Sequence, residues 1–272
     1  MPPVLARRLH WIREDLSLIY SLVRRDYALQ YAGTLLGLAW LLVQYVFQVA
    51  LFYVIFGLLL PAGGRVAGPE NADYLAYLLG GMALWLPLSE MLLRGCGILT
   101  ENRQVVRRTV VGARLLLWVP VFEALVHYTI LFVLVLGVGA LRGTSPGWFP
   151  AAYAFGCLVI LFFGGWSFLL ARVGIIFKDV SPLMRLVLQI LFWVTPIVYV
   201  APAGLDWFFA YHPLHGIVGL HRFWLFGSEF AGLPPGAAQG SLVVGPLLLI
   251  AGSLPVFYLS GRDLHALVVD QL

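Results

Sequence analysis

The chain of 272 residues is 61% hydrophobic and only 11% charged, with a mean hydropathy of +0.91 and a formal charge of +4. A soluble domain carries about 25% charged residues, so this balance excludes an ordinary water-soluble enzyme and predicts an all-α polytopic membrane protein. Of its 17 basic residues only Lys178 is a lysine, a compositional bias rather than chemistry.

The chain begins with a helical pattern. Leu5, Leu9, Ile12, Leu16, Ile19 and Val23 recur at steps of three and four, which is one face of a helix. Arg7, Arg8, Arg13, Glu14 and Asp15 fall elsewhere on it. The pattern predicts an amphipathic interface helix over 3–30 at the cytoplasmic membrane surface; an ordinary helix packed on a soluble partner is the alternative. Residues 1–33 hold no apolar core before a small-residue cleavage site, so no secretory signal peptide is expected.

The stretch 24–40, RRDYALQYAGTLLGLAW, then passes from a basic surface into apolar sequence. Tyr27 and Tyr31 form an i,i+4 aromatic pair suited to a membrane interface. Gly33 and Gly37 have the GxxxG spacing that lets two helices approach closely, and helix packing is their expected role.

At roughly 20 residues per span, the apolar stretches accommodate six transmembrane helices in a single domain, at 34–60, 74–93, 115–141, 148–170, 183–200 and 242–259. Polar, basic segments at 94–114 and 171–185 separate them. Ser181 and Pro182 read as N-cap and first residue of the fifth span, which Pro196 interrupts. Residues 201–241 hold Trp207, Phe208, Phe209, Tyr211, Phe223, Trp224 and Phe226. So aromatic a segment is predicted to form short re-entrant outer helices bounded by Pro202, Pro213, Pro234 and Pro235.

With the N-terminus inside, the inner segments hold 14 of the 17 Lys and Arg, and the outer loops only Arg65, Arg142 and Arg222. The positive-inside rule then places both termini in the cytoplasm. Cys96 and Cys157 lie in apolar surroundings and read as small buried residues without a disulfide. No internal repeat of the kind found in many secondary transporters is visible.

Few charges fall within the spans. Glu90 and Arg94 are i,i+4 in the second, and Glu123 and His127 in the third. Ionisable groups at such positions suggest function; the alternative is that each pair neutralises itself. Neither supplies the third ligand of a catalytic zinc, and no metal site is expected. His10 and Asp15 form HxxxxD, an acyltransferase spacing, but in a charged amphipathic helix it is a coincidence. The sequence holds no GxxxxGK[ST], so it binds no ATP through such a loop.

Trp40, Gln44, Tyr45, Gln48 and Phe52 in the first span, and Gln189, Trp193 and Tyr199 in the fifth, combine uncharged amides with flat rings. Such a set suits a sugar chain, which offers hydroxyls to bond and C–H faces to stack on. The alternative is packing between helices, where Gln bonds across the contact.

The order of these segments resembles the permeases of polysaccharide-export ABC transporters, the ABC-2 type. The shared features are the basic-Asp, Tyr, Leu-Gly and Trp pattern of 24–40, the polar segment 101–109 and KDVSP at 178–182. TPIVY at 195–199 and Tyr211-His212-Pro213, with His where the family has Asn, complete the set. The resemblance covers nearly the whole chain. It implies that two copies form the pathway and that two copies of a separate nucleotide-binding protein bind ATP and Mg and hydrolyse the ATP. This chain itself would hold no cofactor. It implies coupling to that ATPase through Glu101, Asn102, Arg103, Arg107, Arg108, Lys178 and Asp179, and gate helices over 203–235. Spans one and five would line a path for an undecaprenyl-linked glycan such as O antigen, capsule or teichoic acid. The location implied is the bacterial inner membrane, among its lipids and with no nucleic acid partner. An exporter of lipid or drug, or a membrane acyl or glycosyl transferase, are the other readings.

Overall fold

A computed structural model describes residues 3–59, 71–108, 115–141, 148–200 and 205–227. The predicted sixth span lies outside the described residues, as do Pro202, Pro234 and Pro235. Every described element is a helix: α1 (Pro3–Gln30), α2 (Ala39–Phe52, continued by a π-helical segment Tyr53–Leu59), α3 (Asn71–Glu101), α4 (Arg103–Arg108), α5 (Val119–Leu141), α6 (Phe149–Ile176), α7 (Val180–Val194), α8 (Asp206–Tyr211) and α9 (Pro213–Phe226). Four helical stretches among them are long and apolar enough to cross a membrane: Ala39–Leu59, Tyr74–Glu101, Val119–Leu141 and Phe149–Ile176. The chain is thus an integral membrane protein, helical in its described elements.

The bundle is built around α3. Apolar residues surround it on every side, from Tyr77, Leu78 and Met82 to Trp85, Met91 and Ile98, all buried. A helix apolar all round belongs in a core. Its apolar stretch is 83% buried, against 22% for α2. Helices α5, α6, α7 and α9 pack around it. In lipid such contacts are held by close packing rather than by water exclusion. The tightest lies where Gly174 of α6 meets the Cys96 carbonyl of α3, where a Cβ would overlap the carbonyl oxygen. Gly174→Ala is therefore expected to push the two helices apart and cost about 1–3 kcal/mol. The measurement is the thermal midpoint of the purified protein; an unchanged midpoint would mean that the contact relaxes freely.

The first span begins later than its hydropathy predicts, at Ala39 rather than residue 34. Residues 31–38 form an elbow in which Gly33 (φ 74°) and Gly37 (φ 52°) take left-handed backbone. Thr34 ties the elbow: its hydroxyl donates to the Tyr31 carbonyl (2.9 Å) and accepts from the Gly37 amide (3.2 Å). The two glycines therefore form no GxxxG helix face. They lie outside any helix, and no described atom sits within 4 Å of where a Cβ would be. Their spacing serves a turn, which glycine enters without the Cβ penalty.

The second predicted span is lengthened at its far end. The polar segment from Arg94 continues α3 as far as Glu101, and the short helix α4 follows. Helix α7 starts earlier than Ser181-Pro182 suggests, with Asp179 in the cap position. It has only 15 residues and stops at Thr195, whose extended backbone (ψ 126°) is what a following proline favours. The break at Pro196 is thus as expected, but α7 alone is short of a full span. Beyond it, α8 and α9 are the short helices predicted for this region, with Pro213 opening α9.

Candidate functional site

Two polar clusters interrupt the apolar bundle. One joins α1 to the ends of α3 and α5, and Arg94 is its centre. It pairs with Asp26 of α1, with Glu101 (3.0 Å) on its own helix and with Glu123 (3.5 Å) of α5. Arg25 of α1 donates to the Asn102 side chain, whose amide in turn donates to the Ile98 carbonyl (3.0 Å). One turn away, Glu90 receives the Tyr45 hydroxyl (2.8 Å) and the Nδ1 atom of His127 (2.8 Å).

The i,i+4 pairs read from the sequence are therefore exchanged. Glu90 bonds His127 rather than Arg94, and Glu123 bonds Arg94 rather than His127. Each partner lies on another helix, so the charges fasten helices together instead of neutralising along one. Tyr27 and Tyr31 do stack, with ring centroids 6.4 Å apart. Tyr27 also packs 5.9 Å from the His127 ring. Burial, with Glu123 and Glu90 nearby, pushes the Tyr27 hydroxyl far above its ordinary pKa, so it stays neutral.

The second cluster holds the backbone broken by Pro196. Arg222 of α9 is wholly buried and lies on the Tyr77 ring, 3.5 Å from its centroid. Its guanidinium donates to the carbonyls of Tyr77 (3.0 Å), Pro196 (3.0 Å) and Ile197 (2.7 Å). The Tyr77 hydroxyl reaches the carbonyls of Pro196 (3.1 Å) and Tyr199 (2.8 Å), and the Tyr74 hydroxyl that of Val198 (2.8 Å). Carbonyls freed when a helix ends must be satisfied within the protein at membrane depth. Here α3 and α9 supply the donors for four in succession. Next to Arg222, the Nδ1 of His221 bonds the Gly80 carbonyl (2.8 Å), which leaves Nε2 to accept from the Tyr128 hydroxyl (2.9 Å). Arg222 is thus no loop charge, as the sequence count has it, but an internal strut.

The residues expected to line a path separate. On α2 the inward positions are Leu41, Tyr45 and Val49, so Tyr45 belongs to the Glu90 cluster. Trp40, Gln44 and Gln48, at steps of four, are exposed along the flank of that stripe. On α7 only Leu188 is buried, and Gln189 and Trp193 are exposed. The two helices meet through rings rather than amides: Phe52 packs on Phe192 (5.4 Å) and Phe56 on Trp193 (6.4 Å). Tyr199 is half-buried, its hydroxyl donating to the Trp193 carbonyl (2.6 Å).

Of the residues expected to contact an ATPase, Glu101 ends α3, Asn102 is the joint, and Arg103, Arg107 and Arg108 lie on α4. Lys178 and Asp179 are exposed in the link between α6 and α7. Among the described residues no three His, Cys, Asp or Glu side chains are grouped to hold a metal. Sequence reasoning missed Asp26 as an ion-pair partner and counted Arg222 only as an outer charge. The signal for Arg222 was a lone arginine in apolar sequence downstream of a proline-broken helix.

Among the described residues, the long apolar helices and the proline-broken helix mark an integral membrane protein. The chain is similar to the O-antigen export system permease protein RfbA of Klebsiella pneumoniae, with 21% identity over 208 residues that cover 74% of this chain and 77% of that protein. It is similar also to the protein of the same name from Myxococcus xanthus, with 22% identity over 196 residues and 72% of each chain covered. No protein-family model matches the chain.

Proposed function

We propose that this chain is the transmembrane subunit of an ATP-driven exporter that moves a lipid-linked polysaccharide across the bacterial inner membrane, both termini lying in the cytoplasm. The observation that carries the reading is the exposure of Gln44 and Gln48 on an otherwise apolar α2 and of Gln189 in the apolar part of α7. An amide facing lipid has no bonding partner there and is costly. A second copy of the chain, or the polar path between two copies, gives these amides partners. The low burial of α2 agrees with a helix whose other face is covered by that copy. The permeases named above point to an O antigen as cargo, and a capsule or teichoic acid glycan offers the same chemistry.

With no phosphate-binding loop in its sequence, the chain draws its energy from a separate nucleotide-binding protein, two copies of which bind ATP and Mg. The exposed Arg103 and Gln104 of α4 and the link holding Lys178 and Asp179 are the surfaces this partner would press. Helices α8 and α9 form the outer gate.

The test is a strain in which only Gln44→Leu/Gln48→Leu/Gln189→Leu replaces the natural chain. The variant is expected to insert normally and keep basal ATP turnover with its partner, while surface glycan falls about tenfold, an effect of about 1.4 kcal/mol. Full glycan display by this variant would overturn the path. Full display after deletion of the gene would instead favour a lipid or drug as cargo.

A further inference from the structure

A groove of about 570 Å³ runs between α1 and α5, closed at one end by the elbow at Gly37 and Leu38. Its size falls in the range of small-molecule sites, roughly 300–1,000 Å³. Its walls are apolar, from Leu16 and Val23 on α1 and Phe122 and Val126 on α5, with the Tyr27 ring at its inner side. Arg24 also lines it, is exposed, and makes no ion pair among the described residues. The neighbouring Arg25 and Asp26 are both engaged, with Asn102 and Arg94. The helix that forms this wall carries five arginines against three carboxylates over its length.

We infer that this groove is a binding site for an anionic phospholipid of the bilayer, an acyl chain lying along Val23 and Val126 and the headgroup phosphate meeting Arg24. Charge complementarity selects this occupant. A zwitterionic lipid also fills the apolar walls, but its own choline offsets the phosphate charge, so an anionic headgroup is the better counter-ion for Arg24. Basic pockets beside membrane helices favour anionic headgroups, and each Lys or Arg near the surface contributes about 1 kcal/mol. The site is separate from the exposed amide faces of α2 and α7, and the inference does not depend on the cargo assigned above.

The full-length chain, with Val126 replaced by the photoreactive p-benzoylphenylalanine, is placed in nanodiscs of equal phosphatidylglycerol and phosphatidylcholine, illuminated, and weighed by mass spectrometry. Val126 is 44% exposed, so the added ring enters the groove without disturbing the core. Phosphatidylglycerol adducts are expected to exceed phosphatidylcholine adducts about fivefold, the equivalent of about 1 kcal/mol. Arg24→Gln should remove that preference, while Arg185→Gln, exposed on α7, should leave it intact. Equal labelling of the two lipids would overturn the inference, as would a preference that survives Arg24→Gln. Adducts to the protein itself would show that the groove is filled by polypeptide, and adducts that shift to added undecaprenyl phosphate with the same Arg24 dependence would show a cargo site. Either result also overturns it.

Discussion

Arg94→Met is expected to destabilise the protein by about 3–5 kcal/mol, the usual cost of removing one partner from a buried ionic cluster. The reason lies in how many groups depend on this one guanidinium. Asp26 and Glu123 have side chains only 10% and 8% exposed, and both bond to Arg94, as does the outer Glu101. Met fills much the same volume, so packing is nearly kept and the loss reports the stranded carboxylates. A second change sharpens the test. Adding Glu123→Gln to Arg94→Met removes one stranded charge and should recover part of the loss. If the double variant is no more stable than the single one, the cluster is held by packing and not by charge. The same substitution removes the ion pair that ties Asp26 of α1 to α3, and Arg25 still bonds Asn102 beyond the end of α3. Proteolysis of α1 in the purified variant should accelerate accordingly.

Arg222→Met is expected to cost about 2–4 kcal/mol, read as a lower thermal midpoint of the purified protein. Removing the charge relieves its own desolvation, which limits the loss. What remains is the Ile197 carbonyl, left without its donor, and the Pro196 carbonyl, left with only the Tyr77 hydroxyl. Each unsatisfied buried group costs about 1–3 kcal/mol. Arg222→Lys should recover little, since a compact ammonium cannot fork to both carbonyls while lying on the Tyr77 ring. A lysine variant as stable as the natural chain would show that charge alone matters, and would discount the geometry of the seat.

Much of this architecture is legible in the sequence, because lipid demands long apolar helices. The four described spans overlap the predicted ones, Pro196 breaks α7, and Pro213 opens α9. The misses share a physical cause. Hydropathy registers Gly33 and Gly37 as apolar neighbours of a span and does not register φ, so a tied elbow passes for a packing face. The i,i+4 spacing of Glu90 with Arg94 shows that the two lie on one side of a helix, but not that Tyr45 and His127 approach Glu90 from other helices. Arg222 looks like a loop charge because its partners are carbonyls, which every residue possesses and no sequence pattern marks. The amide faces of α2 and α7 are legible as residue types. Which side they occupy follows only once Tyr45 is seen to turn inward.

The seat of Arg222 also sets an order of manufacture. Its Tyr77 partner precedes it by 145 residues in the chain, and its Pro196 and Ile197 partners by 26 and 25. Synthesis runs from the N-terminus, so α3 and the broken end of α7 are made before α9 emerges. Until then the Ile197 carbonyl lacks the donor that completes it, and Arg222, once made, is a charge that lipid rejects. The guanidinium and the carbonyls thus relieve one another in a single late event. Docking of α9 completes this seam, and a nascent chain stopped short of Arg222 would present quality-control proteases with it unfinished.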